Sequence, residues 1–204
     1  MIGIIDYGSG NVGAISDIYK QQNIPHVVSR DLAVLRSAHR YLLPGVGAFD
    51  NTVRALHEHG IVQFIQEEVV TGGKMLAGIC VGMQVLAHSS EEGRLPGLGL
   101  IPGRVQRIDD SQLARPPRLP HMGWNSIECS RPSKLLDGID PDRGFYFLHS
   151  YCFVPDDATH SLATVTYGGT VHCVVSKENV FGIQFHPEKS HSNGVKVLRN
   201  FAEA

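Results

Sequence analysis

The sequence predicts an α/β fold: a mostly parallel central sheet flanked by helices, with a smaller, partly antiparallel extension. Three observations carry this. In the first half, short apolar runs alternate with stretches of helical length, the pattern of strand–helix–strand units. Glycine and proline punctuate the ends of those runs. From Leu95 onward the texture becomes turn-rich, with short apolar runs joined by tight turns and one last helix.

Each element follows in order. IGIID (2–6) is a strand that enters the glycine turn YGSGN (7–11), and a helix runs from there to about Gln22. HVVS (26–29) is a second strand, and YLLPG (41–45) a third that stops at its Pro and Gly. Helices are expected over about 49–59 and 61–70. KMLAGIC (74–80) is the fourth strand and MQVLAHS (83–89) the helix behind it. LPGLGLIPG (95–103) and ARPPRLP (114–120) are turn-rich and separate short runs such as RVQRI (104–108). FYFLHSYCF (145–153), SLATVTY (161–167), VHCVVS (171–176) and VFGIQF (180–185) then read as strands, and 193–201 as the closing helix.

The chain has 204 residues, enough to bury a substantial core, and no linker, repeat or low-complexity tract divides it, so one domain over 1–204 is expected. A formal net charge of −2 gives no electrostatic footprint for nucleic acid. No apolar run approaches the roughly 20 residues of a membrane span, and the start lacks the charged segment of a secretory signal. Cys80, Cys129, Cys152 and Cys173 are irregularly spaced and read as reduced thiols of a cytoplasmic protein. Metal-ligand spacings are absent. His57 and His59 flank Glu58 on a helix, where such neighbours face apart, so no metal is expected.

The first glycine cluster admits two readings. Gly8, Gly10 and Gly13 satisfy G-x-G-x-x-G after a first strand, and Asp31 lies near the distance expected of a ribose-binding carboxylate. That would make a dinucleotide site. The same glycines also suit a tight turn with close helix-to-strand packing.

More specific chemistry sits at Cys80. The run from Gly78 to Gly82, GICVG, matches the nucleophile-elbow pattern with cysteine in place of serine. Glycines on both sides leave room for a strained turn that lifts the side chain clear of its own backbone. The helix beginning behind it offers free N–H groups and a positive dipole end, which favour thiolate. The Val81 amide is then placed to donate to a developing oxyanion. A small thiol buried at a strand end is the plain structural alternative.

A base is found in FGIQFHPEKS (181–190). Pro187 excludes helix and biases His186 toward extended backbone, in which residues i and i+2 project to one side. Glu188 can then hold one imidazole nitrogen while the other faces the cysteine, the arrangement needed for acyl transfer.

With these residues in view, the chain resembles the class I, triad-type glutamine amidotransferases over nearly its whole length. The resemblance implies a flavodoxin-like sheet and no cofactor. It implies that Cys80 attacks the side-chain amide of L-glutamine, giving a γ-glutamyl thioester and ammonia, with His186 moving the proton and Glu188 holding the ring. PGVGAF (44–49) resembles the family's oxyanion strand, so that the backbone of Val46 and Gly47 would complete the hole with Val81. Gln84 matches a residue that helps hold the substrate, and HSY, His149, Ser150 and Tyr151, resembles the segment alongside the substrate's amino-acid end.

DYGSGN (6–11), PHMGWN (120–125), and FLHSY with QFHPEKS are similar to one branch in particular, the glutaminase subunits of imidazole glycerol phosphate synthases. Ammonia in neutral water is largely protonated, which argues for a sealed passage to a partner. The resemblance makes that partner a (β/α)8 barrel cyclase, paired as a heterodimer. It would use the ammonia to turn a phosphoribulosyl-formimino ribotide into imidazole glycerol phosphate and an aminoimidazole carboxamide ribotide in histidine biosynthesis. It also places Asn11, Tyr146 and Lys189 toward that partner. Trp124, the lone tryptophan, falls in an apparent loop and suits an interface anchor as well as a core position.

Cys152 and His191 depart from the expected pattern, as does the loop EEGRLPGLGL (91–100), without touching the chemistry. An amidotransferase of another synthase, a stand-alone thiol hydrolase on the same fold and a dinucleotide-binding module remain as competing readings. One expectation concerns control. Gly45 and Gly47 bracket Val46, so an N–H there can point away from a bound glutamine until the partner engages.

Overall fold

The computed structural model describes residues 1–113, 116 and 118–204. The turn-rich run ARPPRLP therefore lies partly outside the described residues, at Ala114, Arg115 and Pro117.

The strands are β1 (Ile2–Ile5), β2 (His26–Ser29), β3 (Arg40–Gly45), β4 (Met75–Cys80), β5 (Ser89–Ser90), β6 (Gly103–Arg107), β7 (His121–Asn125), β8 (Glu128–Cys129), β9 (Phe145–His149), β10 (Tyr151–Pro155), β11 (Ser161–Thr166), β12 (Thr170–Lys177) and β13 (Val180–Ile183). The helices are α1 (Val12–Gln21), α2 (Leu32–Leu35), α3 (Phe49–Glu58), α4 (Ile61–Ile65), α5 (Val81–Gln84) and α6 (His191–Glu203). Among the described residues the large sheet runs β2-β1-β3-β4-β13-β12-β10-β6-β5, with β11 paired to β12 and to β8. Pairing is parallel from β2 to β13 and mostly antiparallel beyond it. The expected parallel sheet with an antiparallel extension is what forms. β7 and β9 make a separate two-stranded antiparallel sheet.

Burial explains the parallel half. Strands covered by helices on both faces need no polar alternation. β1 is buried at every position, and Leu42, Leu43, Leu76, Ala77 and Ile79 fill the centre beside it. α3 turns Phe49, Val53 and Leu56 inward at helical spacing, and α6 does so with Val197, Leu198 and Phe201.

Five local expectations are corrected. β3 does not stop before its Pro and Gly but includes both. β1 accompanies it only to Leu42, so Pro44 is paired on one side alone, where proline is admitted. The second helix of the 61–70 stretch is regular to Ile65 and then widens into a π-helical turn, Gln66–Thr71. The helix after β4 starts earlier than expected and ends at Gln84. The carbonyls that would extend it are taken by the following loop, with Leu98 N–H on Val85, Ile101 on Leu86 and Gly99 on Ala87. The run 145–153 is two strands broken at Ser150, the first in the small sheet and the second in the large one. Trp124 lies not in a loop but in β7, opposite Tyr146.

Candidate active site

Three adjacent strands of the sheet deliver the candidate residues. β4 lies between β3 and β13, with Gly45 opposite Cys80 on one side and Ile183 opposite Ile79 on the other. Cys80, Val46 and His186 therefore leave the sheet at neighbouring strand ends, where open α/β sheets build their sites.

Cys80 has φ 57° and ψ −114°, a conformation that costs a non-glycine residue about 1–3 kcal/mol. Close packing imposes it. A Cβ on Gly78 would overlap the Gly82 carbonyl, and one on Gly82 would overlap the Leu43 carbonyl of β3. The two glycines let the turn fold onto itself and against the neighbouring strand, which leaves the thiol at the N-terminus of α5.

His186 is fixed through its backbone. Its N–H donates to the Tyr146 carbonyl at 2.9 Å, and its own carbonyl accepts from Ser190 Oγ at 2.6 Å. Its Nδ1 lies 2.9 Å from Glu188 Oε1. The expectation that Pro187 excludes helix is corrected. Pro187–Lys189 forms a single 3-10 turn with proline at its start, so Glu188 reaches the ring across a turn rather than along extended chain. Burial alone would push the imidazole pKa down. Hydrogen bonds with Cys80 and Glu188, and their charges, outweigh it and hold His186 raised at about 9. Burial works against the Glu188 carboxylate, but His186 and Asn11 hold its pKa below the usual value. Asn11 Nδ2 donates to the same Oε1 at 2.6 Å, so this predicted interface residue also fixes the carboxylate.

A cavity of about 330 Å³ opens over Cys80. It takes in Asn11, Val46, Gly47, Val81, Gln84, His149, Ser150, Tyr151, His186 and Lys189. Glu188 stands behind His186, while Trp124 and Tyr146 lie outside the cavity wall. Gln84 is buried, and its amide donates to the Tyr151 carbonyl at 3.1 Å and to Gln184 Oε1 at 3.1 Å. Its amide hydrogens hold the turn at Tyr151. The Val46 N–H donates to Ser9 Oγ at 3.0 Å, and the Ser9 hydroxyl lies 2.7 Å from the Val46 carbonyl.

On the rim, Trp124 is half exposed and packs edge-on to Tyr146 at 6.3 Å and against His191 at 5.0 Å. Lys189 Nζ lies over the Tyr146 ring at 5.6 Å.

The dinucleotide reading finds no support in its other residues. Asp31 caps its own helix, accepting from Ala33 N–H at 2.8 Å. Gly13 has open space where a side chain would go, whereas a Cβ on Gly10 would come 2.6 Å from Pro44. The glycine turn serves packing against the end of β3. Sequence reasoning missed Ser9, Glu92 and Gln184. Glu92 lines the cavity and caps α3 by accepting from the Phe49 N–H at 2.9 Å. Only Gln184, a polar residue within the otherwise apolar run 180–185, gave a signal.

A family model described as "Glutamine amidotransferase class-I" matches residues 4–204. The chain is 45% identical over 203 residues to "Imidazole glycerol phosphate synthase subunit HisH" of Bdellovibrio bacteriovorus, covering 100% of both. It is 42% identical over 202 residues to the protein of the same name from Leptospira interrogans, covering 99% of both. Among solved structures, a "Crystal structure of glutamine amidotransferase" aligns with a TM-score of 0.72 at 20% identity, covering 99% of this chain and 97% of that one. "Structure of PurLQS from Thermotoga maritima" aligns with a TM-score of 0.68 at 18% identity, over 99% and 97% respectively. No helix among the described residues is long and apolar enough to cross a membrane. An elbow cysteine beside a buried histidine–glutamate pair, on this sheet and with this match from end to end, makes the chain a member of the class I glutamine amidotransferase family.

Proposed function

We propose that the chain is the glutaminase subunit of an imidazole glycerol phosphate synthase, one amidotransferase unit over 1–204 acting with a separate cyclase in the cytoplasm. The observation that carries the reading is that Cys80 and His186 line one cavity, with His186 hydrogen-bonded to Glu188 behind it. Full-length likeness to named HisH subunits supports the choice of synthase.

The chemistry follows from the groups present. The Cys80 thiolate attacks the side-chain carbonyl carbon of L-glutamine; a C–S bond forms and the carbonyl electrons move to oxygen. The Val81 N–H, and an N–H of the Val46–Gly47 stretch once it is freed from Ser9, stabilise that oxygen. Collapse breaks the C–N bond, and the leaving nitrogen takes the proton held on His186. Water, deprotonated by the same imidazole, then cleaves the thioester to glutamate and regenerates the thiolate. Glu188 keeps the ring oriented throughout. The backbone of His149, Ser150 and Tyr151 receives the amino-acid end of the substrate.

Ammonia leaves toward a (β/α)8 barrel cyclase docked on the rim that holds Trp124, Tyr146, Lys189 and Asn11. Co-purification with such a cyclase, followed by glutamine-dependent cyclisation, tests the reading. Cys80→Ala in that complex should abolish the glutamine-dependent reaction while added ammonium salts still support cyclisation. Glutaminase turnover surviving in Cys80→Ala, or failure of the complex to form, would overturn it.

A further inference from the structure

His121 and His149 stand directly opposite each other in the antiparallel pair β7–β9, both buried, with His121 Nδ1 3.1 Å from His149 Nε2. The proton positions in this pair are forced. His149 Nδ1 lies 2.8 Å from the Tyr151 carbonyl, which can only accept, so Nδ1 carries a hydrogen. In a neutral ring His149 Nε2 is then bare, and His121 Nδ1 must donate to it. His121 Nε2 is left as an acceptor, with the Asn125 amide nitrogen 3.4 Å away.

Both rings are held neutral. Burial, with the neighbouring His149, lowers His121 to about 3. Burial also lowers His149, to about 4, with the Tyr151 carbonyl opposing and His186 adding to the shift. The plane of His121 is fixed too, stacked between Phe147 at 4.6 Å and Tyr167 at 3.9 Å. Its Nδ1–H is thus a preorganised donor aimed at one acceptor.

That acceptor belongs to the cavity wall. His149, Ser150 and Tyr151 line the space above Cys80, at the break between β9 and β10. The Tyr151 carbonyl is gripped from two sides, by His149 and by Gln84. The opposite face of β7 exposes Met122 at 62% and Trp124 at 48%. One short strand therefore carries the rim residues on one face and the root of this chain of hydrogen bonds on the other.

We propose that His121 is a positioning residue for glutamine: through His149 it sets the 149–151 turn, so that the placement of β7 governs substrate affinity. This rests on the reading of 149–151 as the segment that receives the substrate's amino-acid end. A lost hydrogen bond in such a place corresponds to about tenfold in affinity.

The test uses the complex with the cyclase and two substitutions that separate shape from donor. His121→Phe keeps a ring between Phe147 and Tyr167 but has no donor; His121→Asn keeps a donor near Nδ1 but gives up the stack. His121→Phe should raise the glutaminase KM for glutamine about tenfold with kcat within about twofold. His121→Asn should return KM to near wild type, even if its melting temperature falls. Should His121→Phe misfold, His121→Met, also without a donor, carries the same expectation. An unchanged KM in the donor-free variant, or an equal rise in His121→Asn, overturns the proposal.

A second measurement isolates the premise. Cys80 labelling is followed with a chloroketone bearing glutamine's amino and carboxyl groups and with a plain alkyl chloroketone. His121→Phe should slow only the first. If wild-type Cys80 shows no preference between the two reagents, it is the reading of 149–151 that fails.

Discussion

Ser9 and Val46 are joined twice: the Val46 N–H donates to Ser9 Oγ at 3.0 Å, and the Ser9 hydroxyl lies 2.7 Å from the Val46 carbonyl. The amide that the oxyanion strand could offer to a glutamine carbonyl is therefore already occupied. One absent oxyanion donor is worth roughly 10²–10³ in rate, enough to keep an otherwise assembled site nearly idle. Ser9→Ala removes both bonds, each worth about 1 kcal/mol. We expect the glutaminase rate of the isolated chain to rise about tenfold, while the cyclase-bound rate stays unchanged. Steady-state assays with and without the cyclase check this, and an unchanged isolated rate would show that the contact is not the restraint.

The histidine–glutamate pair makes a pH prediction. His186 is raised from 6.5 to about 9, so its imidazolium persists through neutrality and is lost as pH rises through about 9. The proton for the departing ammonia goes with it, and kcat/KM should fall on the alkaline side near that pH. Glu188→Gln removes one of the groups that raise the pKa, which moves the alkaline limb to lower pH and lowers kcat. His186→Ala should cost about two orders of magnitude more than Glu188→Gln, since the base itself is gone. Stability follows the same sign. The contribution of a raised histidine is fully present below about pH 6.5 and fades through about 9, so thermal melts should show falling stability across that window.

Trp124 gives a separable prediction. It is 48% exposed, and its aromatic partners among the described residues are the rim rings of Tyr146 and His191. Trp124→Ala should weaken association with the cyclase by at least about 30-fold, the effect of a typical hot spot of 2 kcal/mol, and leave the melting temperature of the isolated chain nearly unchanged. Calorimetric titration beside a thermal melt distinguishes this from a core role.

The glycines predict opposite outcomes at two positions. A Cβ on Gly82 overlaps the Leu43 carbonyl, backbone against backbone, so Gly82→Ala should destabilise by more than about 4 kcal/mol or yield no soluble protein. Gly13 lies in α1 with nothing within 4 Å of its would-be Cβ, so Gly13→Ala should stabilise by about 0.5–1 kcal/mol. Denaturant unfolding checks both.

What was legible in the chain and what was not divides along physical lines. Strands β1, β3 and β4 could be read because a strand buried on both faces is apolar nearly throughout, and glycine marks its end. Cys80 was legible because an elbow needs glycine at fixed positions. The break at Ser150 left no mark, since Ser150 is neither glycine nor proline and the two halves differ only in their partners, β7 for one and β6 for the other. The early end of α5 was hidden for a similar reason: amides more than ten residues downstream cap it. Ser9 is an ordinary turn residue by composition, and only the fold brings it to Val46, 37 positions away.

The adjacency of β3, β4 and β13 has a mechanical consequence. The proposed nucleophile, base and oxyanion segment are suspended from three rungs of one ladder, and their spacing is pinned by backbone pairing among largely buried strands. Adjustability is confined to what overhangs the ladder's end, the peptide at Val46 and the bend at Ser150. In a protein arranged this way, changes at the loop tips alter timing or docking while the backbone frame of the proposed trio stays fixed.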